Sequence, residues 1–418
     1  MLNKSDISSE VLGVLSGKSE ENPFFVFSKT RDIGPIIPIS NPIGDTDNQT
    51  WIVVHMEEAV QILKNAKQFT VDPTSIEEKE NFRDKINSKE KSSAPDTFFT
   101  GKSMLFLDGL DHRRLRMLVS KAFTPRYMEG LRPRVQEIAD ELLDNVHSKG
   151  EMDLVKDYAY PLPINVISEM LGVPYEDREK LKDWSSAIAT GLGWGKQDAT
   201  VAKNLQEFGE YTKQLVERKR MNPSDDLISQ LIAIEAEGDR LDESELISMI
   251  TLLIFAGHET TSNLIATGSM MLFENPKQLE LLKKDLRLIP SAIEELLRYN
   301  GPSTAVGPRF AKEDVEISGN KIKKGDMVLV MVKAANRDEK IFTDSEDLDI
   351  TRKINQHLAF GHGMHMCLGS PLARLEGEIA FNSLLRRMPN LSLKIPKEKV
   401  EWQFNLSSQS IDSLPVTF

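Results

Sequence analysis

The stretch that decides the reading is HLAFGHGMHMCLGSPLARLEGEIA, residues 357–380, near the C-terminal end. It holds the chain's only cysteine, Cys367, preceded by His357, His362 and His365. A cysteine at the start of a helix has its thiolate favoured by the positive end of the helix dipole and by unpaired backbone N–H groups. The residues that follow supply such a helix, with Leu372, Leu375 and Ile379 on one face. Pro371 is tolerable in the first turn, where its missing N–H has no partner to lose. Gly361 and Gly363 allow turns closed to other residues, and Gly369 removes a side chain next to the sulfur. Together they describe a thiolate on a tight loop, with space cleared for something large and flat.

A lone cysteine is ordinarily an inert buried thiol; the glycine spacing argues for more. Two active readings stand on the residues alone. His362, His365 and Cys367 are one candidate ligand set for zinc, although the spacing is not a usual zinc pattern and structural zinc sites commonly use more than one cysteine. The other is a single axial thiolate on a haem iron, which donates electron density and favours O–O cleavage.

Working outward, LDESELISMITLLIFAGHETTSNLIATGSMMLFENP (residues 241–276) predicts a long helix. Asp242 and Glu245 form a capping box at its start, and Pro276 closes it. That is about 31 residues, or roughly 46 Å at 1.5 Å per residue. Apolar residues run nearly all the way round, so the helix is expected to be buried. Yet AGHETT interrupts it with Gly257, the charged Glu259, Thr260 and Thr261. Local rules broken in one place mark a functional site, or a tight helix crossing that needs the small glycine. A zinc-protease helix is excluded because no second histidine follows His258 at the required spacing.

The remaining composition bounds the answer. In 418 residues, 40% are apolar and 28% charged, as in an ordinary globular protein. A net charge of −12 argues against general nucleic-acid binding. One cysteine permits no intrachain disulfide, which suits a reducing compartment. The N-terminus lacks a signal-peptide layout, and no apolar run reaches the roughly 18 residues a bilayer span needs. The expectation is a soluble cytoplasmic protein with no membrane segment.

No repeat or linker marks a boundary, so a single domain over residues 1–418 is expected. Helices dominate about 110–300 and 366–388, with periodic segments such as DHRRLRMLVSKAF and PKQLELLKKDL. Short strands are expected near 35–56 and 310–418, among them TWIVVHM, DVEISG, MVLVMVKAA and LPVTF. The charged run 76–96 and the glycine-rich 185–200 are expected as surface loops.

The loop Phe360-x-x-Gly363-x-His365-x-Cys367-x-Gly369 resembles the haem-binding signature of the cytochrome P-450 family. Three further segments match in the family's order: AGHETT in the central helix, Glu295-x-x-Arg298 in EELLR, and DHRRLRMLVSKAFTP. The resemblance implies a mostly α fold with small β-sheets, triangular and helix-rich, with haem between the long central helix and the cysteine helix. It implies haem b as cofactor and Cys367 as axial ligand, shielded by Phe360, with Gly361, Gly369 and Ala256 close by. His112, Arg116, Arg309 and His365 would pair with the propionates, as charge-assisted donors suit carboxylates. Glu295 and Arg298 would be structural, with Arg352 their third member.

Glu259 and Thr260 resemble the family's acid–alcohol pair for proton delivery, and Gly257 would leave a groove for O2. The implied enzyme is a monooxygenase that hydroxylates or epoxidises a lipophilic small molecule such as a fatty acid, terpenoid, steroid or macrolide. Electrons would come from a separate ferredoxin or flavodoxin with its reductase, with Arg113, Arg114, Lys121 and Arg374 as docking candidates. Peroxide-using relatives typically place an arginine and a proline at the acid–alcohol pair, so a peroxygenase is the second choice and a non-catalytic haem sensor the third. Pocket candidates are Ile254, Phe255, residues 98–104, Ser303, Thr304, Ala305, Val306, Ser410 and Ile411. The loops 76–96 and 185–200 would be access lids.

Overall fold

The computed structural model describes residues 4–16, 22–40, 48–76, 97, 102–120, 123–192, 199–236, 241–353 and 355–418. Most of the charged run 76–96 and residues 193–198 of the glycine-rich connection lie outside the described residues, as do 98–101 and Lys121. Two compact units make up the chain: Met1–Phe69 with Met128–Pro163 and Thr260–Phe418, and Thr70–Tyr127 with Ile164–Glu259. Among the described residues no helix is long and apolar enough to cross a membrane.

In the first unit a sheet places Ile36–Ile39, Thr50–Val53, Met327–Val330 and Arg309–Ala311 side by side in that order. Ile37 faces Ile52 in the antiparallel pair, and Ile52 faces Leu329 in the parallel one. Every residue of Met327–Val330 is buried, as expected of a strand in parallel pairing with both faces covered. The core around it gathers Ile36, Val53, Ile62, Phe69, Val328, Phe342 and Leu358.

MVLVMVKAA is strand only as far as Val330; Val332–Ala335 turns into a short helix. The turn buries Lys333, whose Nζ donates to Asn300 Oδ1 at 2.7 Å and to the Gly301 carbonyl at 2.5 Å. That caps the negative end of the preceding helix, Ile289–Asn300. A second difference is the strand Glu151–Asp153, inside the stretch expected to be helical. It pairs with Pro415–Thr417, a partner so remote in sequence that three residues carry no local pattern for it.

The long helix runs Glu243–Glu274, and its capping box forms as expected. The Glu245 N–H donates to Asp242 Oδ1 at 2.8 Å and the Asp242 N–H to Glu245 Oε2 at 3.0 Å. Small residues let three helices of the first unit meet. A Cβ on Gly268 would lie 3.0 Å from Phe381, and one on Gly377 would lie 3.1 Å from Ile293.

In the second unit, helices Arg178–Leu192 and Ala199–Met221 pack through Trp184 against Phe208 and Tyr211. Helix Gly109–Ser120 is tied to the start of the long helix, where Arg114 donates to both oxygens of Glu245.

Candidate functional site

The thiol loop is built by two glycine turns. Gly361 and Gly363 have φ of +68° and +74°, the left-handed region open to glycine at little cost. At Gly363 a Cβ would stand 2.3 Å from the Leu63 carbonyl oxygen, so loop and helix Met56–Lys64 touch backbone to backbone. The Gly361 N–H donates to Leu358 O at 2.8 Å, and the Cys367 N–H donates to Phe360 O at 2.8 Å. Cys367 is thereby held in an exposed position, unusual for one of the most buried residue types. A Cβ on Gly369 would meet nothing within 4 Å.

The cysteine helix spans Ser370–Arg387, so the sulfur sits in the turn before it rather than inside a helix beginning at 366. Gly369 is its N-cap and Pro371 lies in its first turn, which moves the first helical residue past the glycine. His365 closes a short helical turn, Gly363–His365. Among the described residues no group of three or more His, Cys, Asp or Glu side chains is placed to hold a metal ion, so the zinc set is not assembled.

Glu295 and Arg298 form a fully buried pair, with the mostly buried Arg352 beside them. Arg298 Nε and Nη2 donate to the two oxygens of Glu295, each at 2.8 Å. Arg352 Nε adds 3.1 Å to Glu295 Oε2, as the resemblance implied. The other Arg298 nitrogen donates to the carbonyls of Asn336 and Ser345 at 3.0 and 2.8 Å. Buried charge is tolerable only with such complete pairing.

A second cluster was not legible in the sequence. Glu294, the neighbour of Glu295, accepts Arg374 Nε and Nη2 at 2.7 and 2.9 Å. On its other side His357 Nε2 lies 3.2 Å from Glu294 Oε2. Paired with Arg374 and hydrogen-bonded to His357, the Glu294 carboxyl falls to about 2 despite its partial burial. The Arg374 guanidinium rests over the Phe360 ring, 4.5 Å from its centroid. The one available signal was the doubled glutamate in EELLR.

Arg309 is buried, and its Nη1 donates to the carbonyls of Gly307 and Pro308 at 2.8 and 3.3 Å. Two of the pocket segments do come together: the Thr304 N–H donates to Ser407 O and the Gln409 N–H to Pro302 O. Thr304 is fully buried, so Ser303, Ala305 and Val306 present surface and Thr304 does not. Of the docking candidates, Arg113 is exposed, whereas Arg114 and Arg374 are held by Glu245 and Glu294.

In the second unit His112 is buried on helix Gly109–Ser120, and Arg116 follows one turn later, partly buried. The middle of the long helix breaks its own burial pattern. Thr251–Ile254 and Thr261–Leu272 are buried, but Ala256 and Thr260 are exposed, four residues apart on one face. Glu259 is partly buried, and desolvation pushes its carboxyl up to about 7. Burial also holds the His258 ring down at about 4, its Nδ1 lying 2.7 Å from Ile254 O. At Gly257 a Cβ would lie 2.9 Å from Ile167 Cγ1. The small residue therefore serves a tight crossing.

A sequence model described as cytochrome P450 matches residues 51–411. Over 369 residues the chain is 46% identical to cytochrome P450 CYP107DY1 of Priestia megaterium, covering 88% of this chain and 89% of that one. The structure of the myxobacterial cytochrome P450 CYP267B1 in complex with myristic acid matches with a TM-score of 0.88 at 36% identity. That match covers 97% of this chain and 98% of the other. The structure of P450BioI in complex with a hexadec-9Z-enoic acid ligated acyl carrier protein matches with a TM-score of 0.84 at 37% identity, covering 98% and 100%. With the glycine-turned thiol loop, the buried Glu295–Arg298 pair and the broken burial of the long helix, these matches make the chain a member of the cytochrome P450 family.

Proposed function

We propose that this oxidoreductase hydroxylates or epoxidises a lipophilic small molecule, with long-chain fatty acids first among the fatty acid, terpenoid, steroid and macrolide classes. Its electrons come from a separate ferredoxin or flavodoxin with its reductase, and a reducing cytoplasmic setting suits its single cysteine. The family uses haem, which when bound supplies the reductive activation of O2. The residues fit that group: an exposed thiol fixed by backbone, and a glycine beside it where a side chain would meet nothing.

Cys367 would hold the iron, with Phe360 shielding the sulfur and Gly361 and Gly369 keeping the approach clear. His112, Arg116, Arg309 and His365 would pair with the propionates. For Arg309 this means sharing donors now given to Gly307 and Pro308. Glu259 and Thr260 would pass protons. A carboxyl at about 7 is protonated about half the time at neutral pH, the condition in which an acid both gives and regains a proton readily. Ala256 and Thr260 would face the reacting molecules. The observation that carries this reading is that exposed step in an otherwise buried helix. The fatty-acid preference rests on the acyl groups carried by the two related structures.

The test is the ferrous–carbon monoxide difference spectrum of the purified protein beside Cys367→Ser, followed by spin-state titration with myristate, a sterol and a macrolide. A strongly red-shifted Soret band lost in the variant supports the ligand assignment, and a myristate response the substrate class. A protein that cannot be loaded with haem overturns the first; a response to the sterol or macrolide alone overturns the second. Turnover with hydrogen peroxide but not with reduced ferredoxin would favour the peroxygenase.

A further inference from the structure

Glu294, His357, Phe360 and Arg374 form a connected array in the first unit, next to the thiol loop and separate from the Glu295–Arg298 lock. Arg374 is seven residues beyond Cys367, at the start of the cysteine helix. Its guanidinium is fixed three ways. Glu294 takes two of its N–H groups, His357 steadies the far side of that carboxylate, and the Phe360 ring lies beneath, its centroid 4.5 Å from the guanidinium carbon. Phe360 in turn accepts the Cys367 N–H through its carbonyl at 2.8 Å. The geometry therefore links a placed cation to the sulfur through one residue. Its hydrogen bonds to Glu294 hold the Arg374 guanidinium in its charged form.

We propose that Arg374, clamped by Glu294 and stacked on Phe360, is a positioning residue that raises the reduction potential of the thiolate-ligated centre. Adding an electron makes that centre more negative, and a nearby fixed cation favours the more negative state. Fixing matters because Arg374 is 35% exposed; a mobile guanidinium at that depth would swing into water and be screened. The fork of arginine matches a carboxylate and stacks on a ring, and lysine does neither. This inference rests on Cys367 being the haem ligand.

The experiment is a dye-mediated redox titration of the substrate-free holoenzyme, without any redox partner, for wild type, Arg374→Gln and Arg374→Lys. At the wild-type midpoint, Arg374→Gln should be several-fold less reduced; a tenfold fall corresponds to about 59 mV for one electron. Arg374→Lys should recover less than half of that loss, since it keeps the charge without the placement. An unchanged midpoint in Arg374→Gln overturns the proposal, and so does full recovery in Arg374→Lys. The carbon monoxide spectrum of each sample separates the two levels. Absence of the red-shifted band in wild type sinks the ligand assignment, whereas its presence with unmoved potentials sinks the role of Arg374 alone.

Discussion

Glu295 and Arg298 stand one helical turn apart and meet through two N–H···O contacts of 2.8 Å, with both side chains wholly buried. The pair ties helix Ile289–Asn300 to the loop running from Asn336 to Asn355 through backbone carbonyls, the Asp349 N–H and Asn355. Glu295→Ala leaves an uncompensated buried guanidinium, at a cost of about 3–5 kcal/mol. The expected outcome is a large drop in urea midpoint and poor haem loading. The exposed pair Glu137–Arg134, with the same spacing in sequence, is the control: Glu137→Ala should move stability by at most about 1 kcal/mol.

Two glycines of the loop should part company under the same substitution. Gly363→Ala forces a Cβ to 2.3 Å from a backbone oxygen at φ +74°, where neither side can yield cheaply. Soluble yield and thermal midpoint should both fall. Gly369→Ala meets nothing and keeps an ordinary φ of −81°, so stability should fall by only the loss of a glycine N-cap, about 1 kcal/mol. Haem content per mole of protein should nevertheless drop in Gly369→Ala. Equal haem content to wild type would show that this space is not used by the cofactor.

Glu259 makes stability depend on pH in a definite direction. Its folded value is raised, so the folded chain carries no penalty below about 4.5 and the full penalty above about 7. Stability is lost as pH rises through that window. Glu259→Gln removes the penalty and should be more stable than wild type at pH 8, by up to about 3 kcal/mol. The difference should vanish at pH 4. Urea midpoints for both proteins across this range check it, and curves that stay parallel would contradict the burial argument.

Gly257 and Ile167 should behave as a coupled pair. Gly257→Ala pushes a Cβ to 2.9 Å from Ile167 Cγ1, an overpacking that costs about 1–3 kcal/mol. Ile167→Ala, which removes both Cγ1 and the Cδ1 that would lie 3.1 Å away, alone costs about 2–5 kcal/mol. Combining the two should cost less than the sum of the single changes, because the shorter side chain relieves the clash. Additive losses in a double-mutant cycle would mean that Gly257 is needed for something other than this crossing.

Most elements were legible because their causes are local. The capping box of Asp242 and Glu245, the apolar rows of the helices, and the glycines that need positive φ each act within a turn or two of chain. The signature around Cys367 is of the same kind, since consecutive residues shape its loop. Arg352 joining Glu295 was legible through resemblance alone, because nothing local ties the two.

What remained hidden depends on partners far away in the chain. Arg374 and Arg114 looked like surface cations until Glu294 and Glu245 were seen to hold them. Thr304 looked like a wall residue until its segment paired with the hairpin at Ser407 and Gln409 and buried it. The strand Glu151–Asp153 exists because Pro415–Thr417 offers it an edge. By itself, then, the sequence determined the thiol on its glycine turns, the helices and the family they imply. Only the tertiary structure decided which charges are clamped, which glycine serves a crossing and which residues reach the surface, because those properties belong to pairs of segments and to neither segment alone.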